Sequence, residues 1–165
     1  MASTTASLTP QERASLQLLD RQLCFALYSA SLTVTKIYKP LLAQFGLTYP
    51  QYLVMLALWE TDSIGVSALG ERLYLDSGTL TPLLKRMEAL GYLKRERDAA
   101  DERRVIVTLT AEGRLLKKAA VSVPIGLVNA SGCSLGDLGD LTQRLQELRA
   151  SFSSGLGSST DAGST

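Results

Sequence analysis

Two cysteines, Cys24 and Cys133, carry the only thiols of this 165-residue chain, and no histidine accompanies them. Without an imidazole, Ser/His and Cys/His nucleophile pairs and the usual zinc sites are ruled out. The two cysteines lie far apart in sequence, which is neither a disulfide framework nor a metal-ligand spacing. Each is therefore read singly. Cys24 falls in the apolar stretch Leu23-Cys24-Phe25-Ala26-Leu27-Tyr28, where a cysteine without a task is an inert small hydrophobe. To react, its sulfur has to be reachable and its thiolate stabilised. Phenol hydroxyls are the donors available, and Tyr28, four residues on, shares a helix face with it. Tyr38 shares that face too, but ~20 Å further along a straight helix. Cys133 stands in Ser131-Gly132-Cys133-Ser134, before a helix that Ser134 can cap. A thiol there is poised for exchange, or is an incidental loop cysteine.

Composition sets the frame for these residues. A hydrophobic share of 45% with 20% charged residues is that of a globular chain. The net charge of +1 means that any nucleic-acid site has to arise from local clustering. The longest apolar run, Tyr52 to Trp59, is too short to cross a bilayer, and no secretion signal opens the chain. The expectation is a cytoplasmic protein without a membrane partner, a metal or a cofactor.

Periodicity then places the elements. Residues 1–8 read as frayed, and Thr9-Pro10-Gln11-Glu12 as a capping box. From Leu16 to about Phe45 apolar residues recur at three- and four-residue steps, giving one long helix or two, with Pro40 bending or interrupting it. Thr48-Tyr49-Pro50-Gln51 is a second capping box opening Gln51–Glu60. A short helix, Ala68–Leu73 capped by Ser67, is followed by a break at Asp76-Ser77-Gly78. A second helix, about Thr79–Leu90, then ends at Gly91. That is a helix-turn-helix pattern. Two strand-like runs, Tyr92–Arg97 and Arg104–Leu109, flank the polar tip 98–102 and form a wing. Thr110 caps a helix from Ala111 to about Val128, kinked at Pro124; a last helix covers Leu135–Phe152. The tail 153–165 reads as disordered. The fold class expected is mainly α with a small β-wing (α+β). Residues 9–46 and 111–152 would supply dimerisation helices, and 47–110 the winged helix-turn-helix domain.

For duplex DNA the second helix offers Ser77, Thr79, Thr81, Lys85 and Arg86, hydroxyls and cations suited to phosphates and base edges. The hairpin adds Arg95, Arg97, Arg103 and Arg104, and an arginine at a wing tip can enter a narrow minor groove. Glu88, Glu96, Asp98, Asp101 and Glu102 dilute this charge, so the order of elements weighs more than the charge itself.

The run Arg97-Asp98-Ala99-Ala100-Asp101-Glu102-Arg103, followed by Val105-Ile106-Val107-Thr108-Leu109-Thr110 and Glu112-Gly113, resembles the wing signature of the MarR family of winged-helix regulators. The resemblance spans about Leu18–Leu148. It implies an obligate homodimer on pseudo-palindromic operator DNA, Asp101 and Arg103 holding the wing, and Arg97 or Arg103 in the minor groove. Three further runs resemble the organic-hydroperoxide-sensing branch of that family: Leu23–Tyr28, Lys36–Leu42 with Gly46–Tyr52, and Glu71–Arg86. There the cysteine matching Cys24 is peroxidatic, and tyrosines matching Tyr38 and Tyr49 hydrogen-bond its sulfur. Given the helical distance, a dimer with antiparallel N-terminal helices would let Tyr38 and Tyr49 of one subunit reach Cys24 of the other. Spacing alone does not separate this from ordinary interface aromatics. The surroundings of Cys24 are expected to be apolar, from Phe25, Leu27, Leu53, Leu56 and Trp59, favouring organic hydroperoxides over hydrogen peroxide. Members of the family with a C-terminal cysteine use it to resolve the oxidised N-terminal one, so the resemblance implies a Cys24–Cys133 disulfide between subunits, reset by cellular thiols. Two other readings stay open. One is a regulator of the same fold released by a small aromatic ligand; the other is a thiol peroxidase.

Overall fold

Thr9 starts the first helix, α1 (Pro10–Ser15), by a reciprocal cap: the Glu12 amide donates to its Oγ1 at 3.2 Å, and its own amide donates to Glu12 Oε2 at 2.7 Å. The computed structural model describes residues 9–159; the expected frayed start, 1–8, and residues 160–165 of the expected tail lie outside them. The helix expected from Leu16 begins only at Leu23. Leu18 and Gln22 take extended backbone, with one 3-10 turn, Leu19–Arg21, between them, before α2 (Leu23–Ala43). Apolar three- and four-residue steps fit that turn as well as they fit an α-helix. Pro40, expected to bend or break the run, lies inside α2 without ending it. Its ring forfeits one backbone bond, but the buried Tyr38 and Leu42 anchor the helix on either side.

α3 (Tyr49–Glu60) starts two residues before the expected Gln51. The Thr48 amide donates to Gln51 Oε1 at 2.7 Å, and Pro50 sits in the first turn, where a missing N–H costs nothing. Ile64–Gly65 then forms a strand, β1, which the sequence pattern did not reveal. It pairs antiparallel with β3 (Val105–Leu109), Ile64 opposite Val107, and β3 pairs with β2 (Leu93–Arg97), Leu93 opposite Leu109, in the order β1-β3-β2. α4 (Val66–Leu73) is capped at Gly65 rather than Ser67. The expected break at 76–78 is instead the start of α5 (Ser77–Ala89): Asp76 Oδ1 accepts the Thr79 amide at 2.8 Å. Leu42, Val54, Met55, Leu58, Leu69, Leu80, Leu84, Met87, Leu93 and Val107 fill one core beneath this arrangement.

The single helix expected after Thr110 is two, α6 (Ala111–Ala119) and α7 (Ser122–Ser131). The break comes before Pro124, not at it, and leaves the proline in the first turn of α7. α8 runs from Leu135 to Ser159, so residues 153–159 of the expected disordered tail are helical. Near this end serine hydroxyls bond back one turn, Ser151 to the Glu147 carbonyl and Ser154 to that of Ala150. The chain divides into two compact units after Val123. Among the described residues, no single helix is long and apolar enough to cross a membrane.

The wing joins its base through Thr110 and Gly113. Thr110 Oγ1 donates to the Gly91 carbonyl at 2.6 Å and accepts the Gly113 amide at 3.0 Å. A Cβ on Gly113 would lie 2.0 Å from the Tyr92 carbonyl oxygen, so only glycine lets α6 pack here. A Gly113→Ala protein should lose about 3 kcal/mol of unfolding free energy in urea, the upper part of the range for overpacking. Gly139→Ala, in a helix with no atom within 4 Å of the added carbon, should be neutral or gain up to ~1 kcal/mol. Equal stabilities for Gly113→Ala and the unaltered chain would refute the close approach.

Candidate functional site

Cys24 is the second residue of α2 and is exposed. No side chain caps this helix: Gln22, at the N-cap, sends its amide to the Leu16 carbonyl instead. The first-turn N–H groups are therefore left facing the sulfur's surroundings, an arrangement that attracts negative charge. No hydrogen bond to the Cys24 sulfur comes from the described residues. Tyr28 lies one turn on and is 62% exposed, in a row of exposed apolar side chains with Leu23, Leu27 and Leu32.

The other two tyrosines are gathered at the far end of α2. Tyr38 stacks on Tyr49 with ring centroids 4.5 Å apart and meets Tyr52 at 5.9 Å; Tyr52 meets the edge of Trp59 at 6.1 Å. Burial pushes Tyr38 up to about 12, with help from the Tyr49 and Tyr52 phenols, and raises Tyr49 and Tyr52 as well. All three remain protonated donors near neutral pH. The Tyr38 and Tyr49 hydroxyls donate to no described residue of their own chain. Trp59, whose ring joins this cluster, donates its indole N–H to the Gly113 carbonyl at 2.9 Å.

Cys133 follows Gly132, whose φ of +67° ends α7, and its amide donates to Ser131 Oγ at 3.1 Å. Ser134 and Asp137 cap α8 reciprocally at 2.6 to 3.2 Å. The cysteine is exposed and belongs to the second unit, Cys24 to the first.

The surface around α5 and the wing carries the remaining candidates. Ser77, Thr79, Lys85 and Arg86 are exposed along α5 and Thr81 is half-buried. A groove of about 430 Å³ runs between α4, α5 and the wing, lined by Ser67, Glu71, Thr81, Arg95, Arg103 and Arg104. Arg103 reaches into solvent, its side chain 91% exposed, while its Nε donates to Asp101 Oδ1 at 3.1 Å. That contact, with a bond from the Arg103 amide, holds the Asp101 carboxyl below the usual aspartate value. The hairpin tip closes where the Arg104 amide meets the Asp101 carbonyl at 2.8 Å and the Asp98 amide meets the Arg104 carbonyl at 2.9 Å. Arg97 donates to the Glu102 carbonyl at 3.4 Å, and Arg104 pairs loosely with Asp98 at 3.9 Å. Arg95 differs from the rest. Its Nε, Nη2 and amide all donate to Glu88, at 3.0, 2.7 and 2.9 Å, so it clamps β2 to α5 while still lining the groove.

Comparison with known proteins fits this geometry. The family model for the transcriptional regulator SarA/Rot matches residues 36–120. The organic hydroperoxide resistance transcriptional regulator of Bacillus subtilis (strain 168) is 51% identical over 130 residues, covering 79% of this chain and 88% of its own. The chain belongs to the MarR-type winged-helix regulators, in the organic hydroperoxide resistance branch. Solved structures agree. Reduced AbfR bound to DNA superposes with a TM-score of 0.74 at 36% identity, covering 88% of this chain and 97% of its own. A disulfide-formed AbfR superposes at 0.60 and 38% identity, covering 85% and 98%; AbfR is a Staphylococcus epidermidis protein. The chain is thus a DNA-binding transcription regulator of this family.

Some residues that hold the regulator's working surface are not evident from sequence. Asp62 accepts the Leu109 and Ser63 amides, both at 2.8 Å, and the Arg114 guanidinium at 2.8 Å, tying the α3–β1 turn to β3 and α6. Burial pushes its carboxyl up, and these bonds together outweigh that and hold it below 3.8. Tyr92 donates its hydroxyl to the Phe45 carbonyl at 2.9 Å, joining the wing base to the end of α2. Only a lone aspartate before Ser-Ile-Gly and a tyrosine after Gly91 hint at these roles.

The tyrosine cluster gives a pH test. A phenol raised above its ordinary 10.0 stabilises the fold fully below that value, and the contribution is lost as pH climbs through the raised one. Tyrosinate absorbance should show a late phase near pH 12 that Tyr38→Phe removes. The unfolding free energy should fall between pH 10 and 12, and less steeply in the variant. Ionisation of every tyrosine by pH 10 would contradict the burial.

Proposed function

We propose that this regulator is a cytoplasmic homodimeric repressor, released from operator DNA when an organic hydroperoxide oxidises Cys24. The observation that carries the reading is a mismatch within one chain. An exposed, unpartnered thiol stands at the start of α2, and two protonated phenols without acceptors stand ~20 Å along it. Antiparallel pairing of two α2 helices brings the Tyr38 and Tyr49 hydroxyls of one subunit to Cys24 of the other. The row Leu23, Leu27, Tyr28 and Leu32 supplies apolar surface for such pairing. Phenols hydrogen-bonded to sulfur favour the thiolate, the attacking form.

In the first step the thiolate attacks the outer oxygen of the hydroperoxide. The S–O bond forms, the O–O bond breaks, and an alcohol leaves after taking a proton, so sulfur is oxidised to sulfenic acid as the peroxide is reduced. The Cys133 thiol of the other subunit then condenses with the sulfenic acid, releasing water and forming a disulfide, which cellular thiols reduce. The disulfide needs Cα atoms about 4.4–6.8 Å apart. Drawing the dimerisation helices to that distance rotates the winged domains away from half-sites ~34–36 Å apart. On DNA, Arg103 at the hairpin tip is the minor-groove residue, with Arg97 and Arg104 beside it. Ser77, Thr79, Thr81, Lys85 and Arg86 meet phosphates and base edges, and Arg95 acts by positioning the wing through Glu88. The relatives' role in organic hydroperoxide resistance and the disulfide form of AbfR support this reading.

An operator shift assay on the intact chain, Cys24→Ser and Cys133→Ser tests it. With cumene hydroperoxide the intact chain should leave DNA and return on adding a thiol, and Cys24→Ser should stay bound. Cys133→Ser should be oxidised without a disulfide-linked dimer. Release of Cys24→Ser by hydroperoxide would overturn the sensor assignment; a normal response and reset by Cys133→Ser would overturn only the resolving role.

A further inference from the structure

Two backbone bonds close the turn between α4 and α5: the Leu75 amide donates to the Gly70 carbonyl at 3.0 Å, and the Tyr74 amide to that of Glu71 at 3.3 Å. Such a helix end obliges its turning residue to take left-handed backbone. Here that residue is Tyr74, at φ +56° and ψ +37°. Glycine fills such a place without strain, whereas a side chain brings its Cβ against the following carbonyl. Among the described residues, the non-glycine positions at positive φ are Ser63 and Tyr74, and only the second is bulky. Burial does not offset the strain, because Tyr74 is 68% exposed. Strain held at an exposed residue points to a use outside the fold. The surface around it indicates which. A groove of about 400 Å³ between the two helices is lined by Tyr74, Ser77, Ser67 and Glu71. Ser67 and Glu71 also line the groove of about 430 Å³ that reaches Arg103 and Arg104. The two therefore form one trough along the helix-turn-helix, with the wing arginines at one end and Tyr74 at the other.

We infer that Tyr74 is a further DNA-binding residue, its hydroxyl donating to a backbone phosphate at the end of the trough away from the wing. The inference rests on α5 and the wing meeting DNA as given above. A second helix set in the major groove needs backbone contacts to fix its register. The wing supplies them on one side and Tyr74 on the other. Of the carboxylates near it, Asp76 is taken up as the cap of α5, accepting the Thr79 amide and hydroxyl at 2.8 and 3.0 Å, and Glu71 lies a turn back along α4. A phenol hydroxyl is a neutral donor, so its bond to a phosphate is charge-assisted yet releases no counterion. Such a contact positions the protein without reading sequence.

The test measures binding of the reduced, full-length protein to two duplexes: an operator that it selects from random sequence, and a scrambled duplex of the same length. Tyr74→Phe keeps the ring and removes the hydroxyl. It should bind both duplexes about tenfold more weakly, the order expected for losing a hydrogen bond to a charged group, with the salt dependence of binding unchanged. Tyr74→Gly relieves the backbone. It should match or exceed the unaltered chain in urea midpoint while binding both duplexes at least about tenfold more weakly. A purely structural tyrosine would move stability and affinity down together, and that result would overturn the inference. So would full affinity in Tyr74→Phe, or a loss confined to the operator, which marks base reading instead. Arg103→Ala, measured alongside, should weaken both duplexes and lower the salt slope. Full affinity in that variant would instead overturn the wing's place on DNA, the reading beneath the inference.

Discussion

A continuous run of aromatic contacts from α2 to the wing is the constraint on which the rest of the structure depends. Tyr38 stacks on Tyr49 and leans on Tyr52, Tyr52 meets Trp59, and the Trp59 indole holds the Gly113 carbonyl. Gly113 in turn lies against the Tyr92 backbone, and the Tyr92 hydroxyl returns to Phe45 at the end of α2. The run therefore closes on itself, fixing the end of α2, all of α3, the wing base and the start of α6 in one packed body. Rings pack at close to crystal density, and such a body has few intermediate arrangements. That property suits a regulator that must be either on DNA or off it.

The polar ties follow from that body. Asp62 can collect the Leu109 amide and Arg114 only because α3 ends where β3 ends and α6 begins. Glu88 holds Arg95 because α5 and β2 are brought side by side after Gly91. The tip beyond them is held by its own residues, Asp98, Asp101, Arg103 and Arg104, and by one bond from Arg97. On the proposed reading, such support lowers the backbone entropy lost when Arg103 enters a minor groove.

Local signals were readable in the sequence, and non-local ones were not. The caps at Thr9, Thr48 and Thr110 are short-range hydrogen-bond patterns, and each begins a helix where it stands. The hairpin was visible because β-branched residues and a polar tip follow Gly91. Strand β1 escaped because two residues have no periodicity; only its pairing with Val107 and Ile106 makes it a strand. Pro124 was placed within a helix because the break at Ala120-Val121 has no proline or glycine of its own. The Arg95–Glu88 clamp was missed because a charge count cannot tell which cation is already held. Tyr38 and Tyr49 were singled out by resemblance, whereas their stacking on one another depends on how α2 and α3 pack.

The central claim is that Cys24 is served by the phenols of the opposite subunit. A mixed dimer decides it, pairing one Cys24→Ser subunit with one Tyr38→Phe/Tyr49→Phe subunit. Crossed sites leave one thiol facing two intact phenols, and sites within a chain leave none. The rate of Cys24 oxidation by cumene hydroperoxide is the quantity to measure. The account predicts the rate of the unaltered dimer at the single remaining cysteine. The slow rate of the Tyr38→Phe/Tyr49→Phe homodimer would contradict it.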